Sequence, residues 1–271
     1  MEFNVNGKVA VVTGGTRGLG LDCAEALVLH GAKTVVITSR KAKACEEAKA
    51  YLDKVAKGNG KSATIIAIPA DIAKDQDLEQ FFKDVSAKID RLDILIANAG
   101  ASWGAPLSEH PVSAVRKVLD LNVVAVFHCI KLFTPLLAES GSAEDPSRIL
   151  IMSSVASLVP QDAAGTYGYL ASKAGVSHMG KNLAIQLGPS NINVNSLAPG
   201  FFPTKMSNGL LEVFGEVMVE MNPKRRLGVK ADIQAAVIFL CSKPSAYING
   251  IVLPVDGGSH LVGSPSPPSK I

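Results

Sequence analysis

The stretch Thr13-Gly14-Gly15-Thr16-Arg17-Gly18-Leu19-Gly20 stands at the end of the apolar run Val9–Thr13. A turn from a strand into a helix that lies close to a pyrophosphate requires glycine, because a Cβ would block the approach of the backbone. A helix that begins near Gly18 directs its first N–H groups and the positive end of its dipole at that phosphate. The spacing Gly-x3-Gly-x-Gly differs from the Gly-x-Gly-x-x-Gly fingerprint, so the turn alone could be a glycine-rich loop without a ligand. Its place between a first strand and a first helix favours a nucleotide site.

Short β-branched runs alternate with longer helical patterns along the rest of the chain. The predicted strands are Val9–Thr13, Thr34–Thr38, Ala63–Ile68, Leu92–Ala97, Arg148–Met152, Ile192–Leu197 and Ile251–Val255. The predicted helices cover roughly residues 18–30, 41–57, 75–90, 111–138, 165–187, 206–221 and 230–242. Apolar residues run almost without interruption through the strands, which is typical of strands covered on both faces. The pattern predicts an α/β fold: one Rossmann-like, doubly wound parallel sheet of about seven strands with helices on both faces.

Composition sets the organisation of the 271-residue chain. No linker or internal repeat divides it, so residues 1–262 are expected to form one domain. Residues 263–271 are rich in proline and serine and are expected to form a flexible tail. The net charge of +3 is small and the basic residues are dispersed, which excludes a nucleic-acid partner. The four cysteines and five histidines are scattered, which predicts reduced thiols and no metal site.

The two ends of the chain bear on its location. The N-terminus lacks a basic start and a long apolar run, and no uninterrupted apolar stretch reaches the length of a membrane span. These features predict a soluble, cytoplasmic protein without a membrane partner. The last residues, Ser269-Lys270-Ile271, are close to the Ser-Lys-Leu signal for peroxisomal import. If the source is eukaryotic, a peroxisomal location is the alternative.

The end of the second predicted strand indicates which nucleotide is bound. A protein that prefers NAD places Asp or Glu there, against the ribose 2′-hydroxyl. Here Ser39 and Arg40 occupy that place, and Arg17 lies on the glycine turn. A carboxylate would repel a 2′-phosphate, whereas serine and arginine can bind it. Either arginine alone could be a solvated surface charge, but the pair without an acid predicts NADP(H).

A tyrosine and a lysine lie four residues apart at the start of the predicted helix 165–187. Residues at this spacing face the same side of a helix, so Tyr169 and Lys173 are neighbours. A phenol, with a pKa near ~10, exchanges protons poorly at neutral pH unless a cation stabilises its phenolate. Lys173 can supply that cation. The pair occurs often by chance and indicates acid–base chemistry only in combination with other motifs.

Several motifs follow one another in a fixed order along the chain. They are Thr13-Gly14-x3-Gly18-x-Gly20, Asn98-Ala99-Gly100, Asn122, Ser154, Tyr169-x3-Lys173, Pro199-Gly200 and Asp256-Gly257-Gly258. This order resembles that of the short-chain dehydrogenase/reductase family over about residues 6–260. Within the family the chain is similar to the β-ketoacyl reductases, including the type associated with rhamnolipid synthesis. The local signatures are Ala101–Gly104, Pro111–Ser113 and Pro199–Pro203.

The resemblance implies a role for each of four catalytic residues. Tyr169 would be the general acid/base, and Lys173 would lower its pKa and hold the nicotinamide ribose. Ser154 would donate a hydrogen bond to the substrate oxygen, and Asn122 would hold a water linking Lys173 to solvent. Ser154 lies 15 residues before Tyr169, slightly more than is usual, so Ser153 and Ser157 stay open as alternatives. Tyr167 also stands nearby, but no lysine follows it at the same spacing.

The resemblance also implies the residues that bind the cofactor NADP(H). Asn98, Ala99 and Gly100 would line it, Asp71 would meet the adenine, and Phe202 with Thr204 would cover the nicotinamide. The expected cofactor-binding residues are Gly14, Thr16, Arg17, Gly18, Leu19, Gly20, Ser39, Arg40, Asp71, Ile72, Asn98, Ala99, Gly100, Tyr169, Lys173, Pro199, Gly200, Phe202 and Thr204.

The expected activity is reversible reduction of a ketone to a secondary alcohol. An enoyl reductase of this fold would have a wider Tyr–Lys spacing, and an epimerase would need a larger C-terminal part. The alternatives are a catalytically silent NADP(H)-binding regulator and, among enzymes, a ketose or polyol reductase. The resemblance also implies a homotetramer (or dimer), in which Val123, Phe127 and Leu132 could serve an interface.

The substrate itself stays open between a β-ketoacyl thioester, a polyketide ketone, a ketose and a xenobiotic ketone. The segment Met206–Met221 is expected to form a lid. Its apolar residues are Leu210, Leu211, Val213, Phe214, Val217 and Met218; they could favour an apolar substrate or belong to a helix that covers the sheet. The run Lys224-Arg225-Arg226 could bind a carrier phosphate, although a solvated charge run is the simpler interpretation.

Overall fold

The chain folds around one parallel sheet of seven strands in the order β3-β2-β1-β4-β5-β6-β7. The computed structural model describes residues 2–160 and 165–262; the predicted tail 263–271 lies outside them. The strands are β1 Val9–Thr13, β2 Thr34–Ser39, β3 Thr64–Pro69, β4 Ile94–Ala97, β5 Ser147–Met152, β6 Ile192–Pro199 and β7 Val252–Val255. Every neighbouring pair is parallel. The predicted α/β, doubly wound, Rossmann-like fold is confirmed.

Eight α-helices connect or flank the strands in the described part of the chain. They are α1 Gly18–Leu29, α2 Ala42–Gly58, α3 Asp75–Ser86, α4 Val112–Leu119, α5 Ala125–Ser140, α6 Tyr167–Leu187, α7 Asn208–Met221 and α8 Lys230–Cys241. The predicted single helix over 111–138 is wrong in one respect: a π-helical segment, Asp120–Val124, separates α4 from α5. Such insertions are frequent at functional sites, and this one contains Asn122.

The predicted fourth strand begins two residues later than expected. Leu92 donates its backbone N–H to the Ser140 hydroxyl at 2.9 Å instead of to a neighbouring strand. Asp93 accepts the Val9 N–H with its carboxylate at 2.8 Å. The regular ladder therefore starts at Ile94, opposite Ala10 of β1.

The sheet separates two hydrophobic cores. On one face Val12, Ile37 and Ile96 pack with residues of α1, α2 and α8; on the other, Val11, Val36 and Leu95 pack with residues of α3, α5 and α6. The first core includes Leu27 and Val237, and the second includes Phe81, Phe133 and Val176. Consecutive residues of the central strands point to opposite cores, which explains why their sequences are apolar without interruption.

The stretch Val112–Ser140 is long and apolar enough, by length and composition alone, to cross a membrane. Charged residues interrupt the run, among them Arg116, Asp120 and Lys131, so it does not contradict the prediction that no uninterrupted apolar stretch reaches this length. Inside the fold its residues Val126, Cys129, Ile130 and Phe133 are buried against the sheet. A helix that covers a doubly wound sheet needs such an apolar face.

Helix α7 does not cover the sheet. None of its 14 described residues is buried. The interpretation of Met206–Met221 as an amphipathic helix packed on the sheet is therefore wrong, and its apolar residues remain at the surface.

Candidate active site

The glycine turn has the backbone geometry that its sequence predicts. Gly14 and Gly18 have φ angles of +64° and +51°, in the left-handed region that favours glycine. A Cβ on Gly20 would lie 2.3 Å from both Asn98 Nδ2 and the Gly14 carbonyl oxygen. Helix α1 begins at Gly18, so its N-terminus points at the turn. Thr16 and Leu19 lie in the same turn, half-buried.

Asn98 braces the glycine turn with its side chain. Its Nδ2 donates to the carbonyl oxygens of Thr13 (2.9 Å) and Gly14 (3.2 Å). The Thr13 hydroxyl accepts the N–H groups of Asn98 and Ala99 at 3.0 and 3.1 Å. Asn98 thus lies beside the predicted cofactor position, but its side-chain amide donates hydrogen bonds to the backbone of the glycine turn.

The end of β2 carries no carboxylate. Ser39 is half-buried, its hydroxyl 3.6 Å from the Cys45 Sγ, and Arg40 is exposed. Arg17 is also exposed, and within the described chain neither Arg17 nor Arg40 forms an ion pair. Two unpaired guanidinium groups with a neighbouring hydroxyl suit an anion with several oxygens.

The residues after β3 continue this edge of the sheet. Asp71 accepts the Ala73 N–H with Oδ1 at 3.4 Å, and Ile72 is buried. The strand β3 pairs with β2, so both residues follow the strand next to the one that ends at Ser39. Their contact with the adenine of a cofactor stays a prediction.

Tyr169 and Lys173 lie on the first turns of α6 and face each other. The Lys173 Nζ is 5.5 Å from the centre of the Tyr169 ring and donates to the Met152 carbonyl at 2.7 Å. Burial of the Lys173 ammonium lowers its pKa from 10.5 to about 8. A Cβ on Gly100 would lie 3.6 Å from Nζ, so the backbone after β4 adjoins the lysine.

The effect on the Tyr169 pKa differs from the expectation. Burial raises the pKa of Tyr169, and a hydrogen-bonding interaction with Ser154 lowers it in part. The Lys173 Nζ lies 5.5 Å from the centre of the phenol ring and donates to the Met152 carbonyl, and the lowering of the Tyr169 pKa by Lys173 stays a prediction. Tyr169 therefore stays protonated at neutral pH in this arrangement.

The three candidate serines have different hydrogen-bond partners. The Ser153 hydroxyl is buried 2.5 Å from the Ser177 hydroxyl and 3.2 Å from the Lys173 carbonyl. Ser157 donates to the Ser154 carbonyl at 2.7 Å. The Ser154 hydroxyl accepts the Ala156 N–H at 3.2 Å and keeps its own proton for Tyr169 or a substrate oxygen. The geometry favours Ser154 for the catalytic role.

Asn122 connects the loop after β4 to α6. Its Oδ1 accepts the Ala101 N–H, and its Nδ2 donates to the Ala101 carbonyl and the Ser172 hydroxyl, all at 2.9 Å. Ser172 in turn donates to the Tyr169 carbonyl at 2.7 Å. The Asn122 side chain therefore bonds to the backbone of Ala101 and to the Ser172 hydroxyl, and its predicted water-holding role stays a prediction.

The segment after β6, which is predicted to contact the nicotinamide, passes close to the glycine turn. Gly200 donates its N–H to the Val255 carbonyl at 3.0 Å, directly after Pro199. Thr204 touches the glycine turn: a Cβ on Gly18 would be 3.4 Å from its Cγ2. The expectation that the Phe202 ring covers a nicotinamide is wrong for the side chain. That ring is buried in the hydrophobic core against Gly228, where the missing Cβ leaves it room.

A family model described as enoyl-(acyl carrier protein) reductase matches residues 14–260. The chain is 38% identical over 261 residues to the rhamnolipids biosynthesis 3-oxoacyl-[acyl-carrier-protein] reductase of Pseudomonas aeruginosa, covering 96% of this chain and 98% of the relative. The chain belongs to the short-chain dehydrogenase/reductase family. The predicted family resemblance is thereby confirmed.

Two further similarities agree with this family. The short-chain dehydrogenase/reductase PhomF of Diaporthe leptostromiformis is 33% identical over 283 residues, with 96% of this chain and 94% of the relative covered. The Pseudomonas aeruginosa RhlG/NADP active-site complex matches the fold with a TM-score of 0.88 at 38% identity. That match covers 96% of this chain and all of the other.

In this short-chain dehydrogenase/reductase the sequence left several contributing groups unidentified. Thr13 anchors Asn98 and Ala99, Ser172 joins Asn122 to Tyr169, and the Met152 carbonyl binds Lys173. Thr13 and Met152 end strands β1 and β5, and Ser172 directly precedes Lys173. Their position at a strand end could have indicated Thr13 and Met152. The contribution of Met152 comes from its backbone carbonyl, which the type of side chain cannot indicate.

Proposed function

We propose that this chain is an NADP(H)-dependent carbonyl reductase that interconverts a ketone and a secondary alcohol. The observation that carries the proposal is the grouping of Tyr169 with Ser154, which hydrogen-bonds to it, and with the buried Lys173, whose Nζ lies 5.5 Å from the centre of the phenol ring. A related protein's structure is titled as an NADP complex, and a relative is named a 3-oxoacyl reductase. Both names agree with the chemistry of this site.

The residues present fit NADP(H). Gly14 and Gly20 allow the turn to pack closely on Asn98, and helix α1 begins at Gly18, so its first N–H groups could bind a pyrophosphate. Arg17, Ser39 and Arg40 would hold the 2′-phosphate, and no acid competes with it at the end of β2. The nicotinamide would lie between Thr204 and Gly100. When bound, the cofactor supplies the hydride for the carbonyl carbon.

The chain's own residues would manage the proton and the charge on oxygen. Tyr169, kept protonated by its raised pKa, donates its phenolic proton to the oxygen as negative charge develops there. Ser154 donates a hydrogen bond to the same oxygen. Lys173, still mostly protonated at neutral pH, stabilises the Tyr169 phenolate that is left behind. A proton from solvent then restores the phenol before the next turnover.

Carbonyl reduction is favoured over enoyl reduction although the matching family model is described as an enoyl reductase. Tyr169 and Lys173 are four residues apart on one helix face, and Ser154 lies beside the phenol. The hydroxyl groups of Tyr169 and Ser154 could both reach one substrate oxygen, one to protonate it and the other to donate a hydrogen bond, as reduction of a C=O bond requires.

The experiment is a panel of ketones, β-ketoesters, ketoses and one enoyl thioester, with NADPH oxidation followed by near-ultraviolet absorbance. We expect turnover of at least one ketone with NADPH, and much less with NADH. Turnover of the enoyl thioester alone would contradict the proposal. Tight NADPH binding without any turnover would support the silent regulator instead.

We also propose that the functional form is a homotetramer. Val124 at the end of the π-helical segment, Phe127 on α5 and Ile185 on α6 are exposed apolar side chains. The edge strand β7 is only partly covered. Two such surfaces suit two different two-fold interfaces.

A further inference from the structure

The serine directly before Ser154 uses its hydroxyl on helix α6. Ser153 is buried, and its Oγ donates to the Lys173 carbonyl at 3.2 Å and lies 2.5 Å from the Ser177 Oγ. Its backbone N–H donates to the Leu197 carbonyl of β6 at 2.7 Å, so the residue itself is fixed to the sheet. The buried hydroxyl therefore links the end of β5 to two positions of one helix.

The order of donation in this hydroxyl pair follows from the single proton that each serine carries. Ser153 uses its proton for the Lys173 carbonyl, so the proton between the two hydroxyl oxygens comes from Ser177. A serine inside a helix often donates to the carbonyl four residues earlier, which for Ser177 is that of Lys173. Here Ser153 is the donor to that carbonyl. A hydrogen bond that could be local is thus replaced by one that crosses from β5 to α6.

The consecutive residues Met152 and Ser153 hold Lys173 at both of its ends. The Met152 carbonyl accepts from Nζ at 2.7 Å, and the Ser153 hydroxyl donates to the backbone carbonyl of the same lysine at 3.2 Å. A lysine side chain has many rotamers, so its ammonium keeps one position only when the backbone and the end group are both fixed. These two bonds fix Nζ at its place 5.5 Å from the centre of the Tyr169 ring.

Helix α6 also packs closely on the sheet one turn beyond this contact. A Cβ on Gly180 would lie 3.1 Å from the Ile151 Cδ1 and 3.2 Å from the Ser196 Oγ, which is closer than an ordinary contact. Gly180 and Ser177 are three residues apart, so they share one face of the helix. Small side chains on this face let α6 approach β5 and β6, and the contact between Ser153 and Ser177 sets how close it comes.

We propose that Ser153 is a positioning residue for the ammonium group of Lys173. Its hydroxyl holds the lysine backbone against β5 at the position from which Nζ reaches the Met152 carbonyl. The inference rests on the proposed carbonyl reductase, in which Lys173 stabilises the Tyr169 phenolate. The attraction between an ammonium and a phenolate falls with their distance, so an ammonium that loses its position stabilises the phenolate less.

The position of Nζ also affects the pH at which Lys173 loses its proton. Tyr169 is the titratable side chain that the described residues place against Nζ. A hydrogen bond to a carbonyl favours the charged ammonium, whereas burial lowers the Lys173 pKa to about 8. When the bond to Met152 is weakened, the pKa of Lys173 falls further. The basic limb of the kcat profile, where the ammonium is lost, then moves to lower pH.

The test is Ser153→Ala in the full chain, with kcat for a reducible ketone and NADPH followed across neutral and basic pH. We expect kcat at pH 7 to fall by about tenfold, since a misplacement of about 1 Å can cost up to about 10²-fold. The basic limb of the kcat profile should move to lower pH by about half a unit or more. The variant should stay folded, because Ser177 can then donate to the Lys173 carbonyl within the helix.

Ser147→Ala is the matched control at the other end of the same strand. Ser147 is also buried, and its hydroxyl donates to a helix carbonyl, that of Leu137 in α5, at 2.8 Å. Both variants therefore lose a similar hydrogen bond between β5 and a helix, and urea denaturation should show a similar loss of stability. In Ser147→Ala the value of kcat and the position of its basic limb should remain those of the wild type.

The variant Ser177→Ala separates the two bonds of the hydroxyl pair. It removes the donor to Ser153 but leaves the bond from Ser153 to the Lys173 carbonyl, so kcat should fall by less than about threefold. The double variant should have the kcat of Ser153→Ala alone, because Ser177 acts only through Ser153. Additive losses of kcat would contradict the inference.

The outcomes separate this inference from the proposed function. A loss of stability in Ser153→Ala with kcat and its basic limb unchanged would leave Ser153 a structural role alone and overturn the inference. A lower kcat with an unmoved basic limb would overturn it too, since Ser153 would then act on the adjacent Ser154. If the wild type reduces no ketone, the proposed function fails, and NMR of isotope-labelled lysine still tests the inference. Equal titration midpoints of Lys173 in wild type and Ser153→Ala would overturn it.

Discussion

Arg40 follows Ser39 directly and Arg17 lies on the glycine turn; both are exposed and neither forms an ion pair within the described residues, which makes the proposed cofactor choice testable. Arg40→Asp places a carboxylate where a 2′-phosphate would bind. Loss of a charge-assisted hydrogen bond and the new repulsion should weaken NADPH binding by about tenfold to a hundredfold, with little effect on NADH. Fluorescence titration of both cofactors measures this difference.

The control for this variant is Lys57→Asp, which makes the same charge change on the exposed last turn of α2. It should leave both affinities unaltered. If Arg40→Asp weakens NADPH and NADH equally, Arg40 supports the fold and does not read the phosphate.

Burial of the Lys173 ammonium lowers the free energy of unfolding. Its pKa in the folded chain is about 8 and its ordinary value is 10.5, so the unfolded chain binds more protons between these pH values. The cost is complete below about pH 8 and disappears as pH rises toward about 10.5. Lys173→Met should therefore raise the free energy of unfolding at pH 7, by up to about 3 kcal/mol.

Urea denaturation of wild type and Lys173→Met at pH 7 and pH 10.5 checks this prediction. The variant should lose ketone reduction and gain stability at the lower pH, and the stability gain should shrink at the higher pH. A variant that is less stable at pH 7 would mean that the hydrogen bond to Met152 outweighs the burial of charge.

At the scale of elements, the π-helical segment Asp120–Val124 has the clearest functional consequence. Asn122 projects from it and satisfies both backbone groups of Ala101 and the Ser172 hydroxyl. Asn122→Ala should lower the free energy of unfolding by about 3 kcal/mol, since buried polar groups lose their partners. It should also reduce kcat, because Ser172 holds the backbone of Tyr169.

Chemical denaturation and steady-state kinetics test this pair of effects. Asn59→Ala is the control: it removes an exposed side-chain hydrogen bond to Val55 at the end of α2. Its effect should stay within about 0.5 kcal/mol. Unchanged kcat in Asn122→Ala would show that the segment supports the fold alone.

The sequence did not predict the elements whose boundaries depend on contacts with residues far away in the chain. The strands were predictable because two-sided burial leaves continuous apolar runs such as Val9–Thr13. The π segment depends on Ala101 and Ser172, which lie 21 and 50 residues from Asn122. The late start of β4 depends on Ser140, 48 residues from Leu92. The sequence around Asn122 or Leu92 does not indicate these distant partners.

For the whole molecule, the sheet order explains why distant motifs meet. Strands β1, β4, β5 and β6 are consecutive neighbours, so the residues that follow them share one edge. The glycine turn, Gly100, Ser154 and Pro199 therefore lie at the same edge of the sheet. The bonding of Lys173 to Met152 and the burial of Phe202 could not be predicted, because both depend on packing across that edge.

The proposed tetramer makes a prediction at the same scale. Phe127 on α5 has 48% of its surface exposed although it is aromatic. Phe127→Asp should convert the assembly to dimers or monomers, because a carboxylate cannot be buried at an apolar interface without a large cost. Light scattering at micromolar concentration measures the mass, with Lys57→Asp again as the charge control. A wild-type monomer would contradict the tetramer.

Tyr169→Phe tests the central claim most directly, because it removes one hydroxyl from the group formed by Tyr169, Lys173 and Ser154. The claim predicts a fall in kcat for ketone reduction of about 10²–10⁴, the usual contribution of a positioned proton donor. NADPH affinity by fluorescence titration should change little, since glycine-turn and arginine contacts are untouched. A folded variant that keeps more than about a tenth of wild-type kcat would contradict the role of Tyr169 and the mechanism built on it.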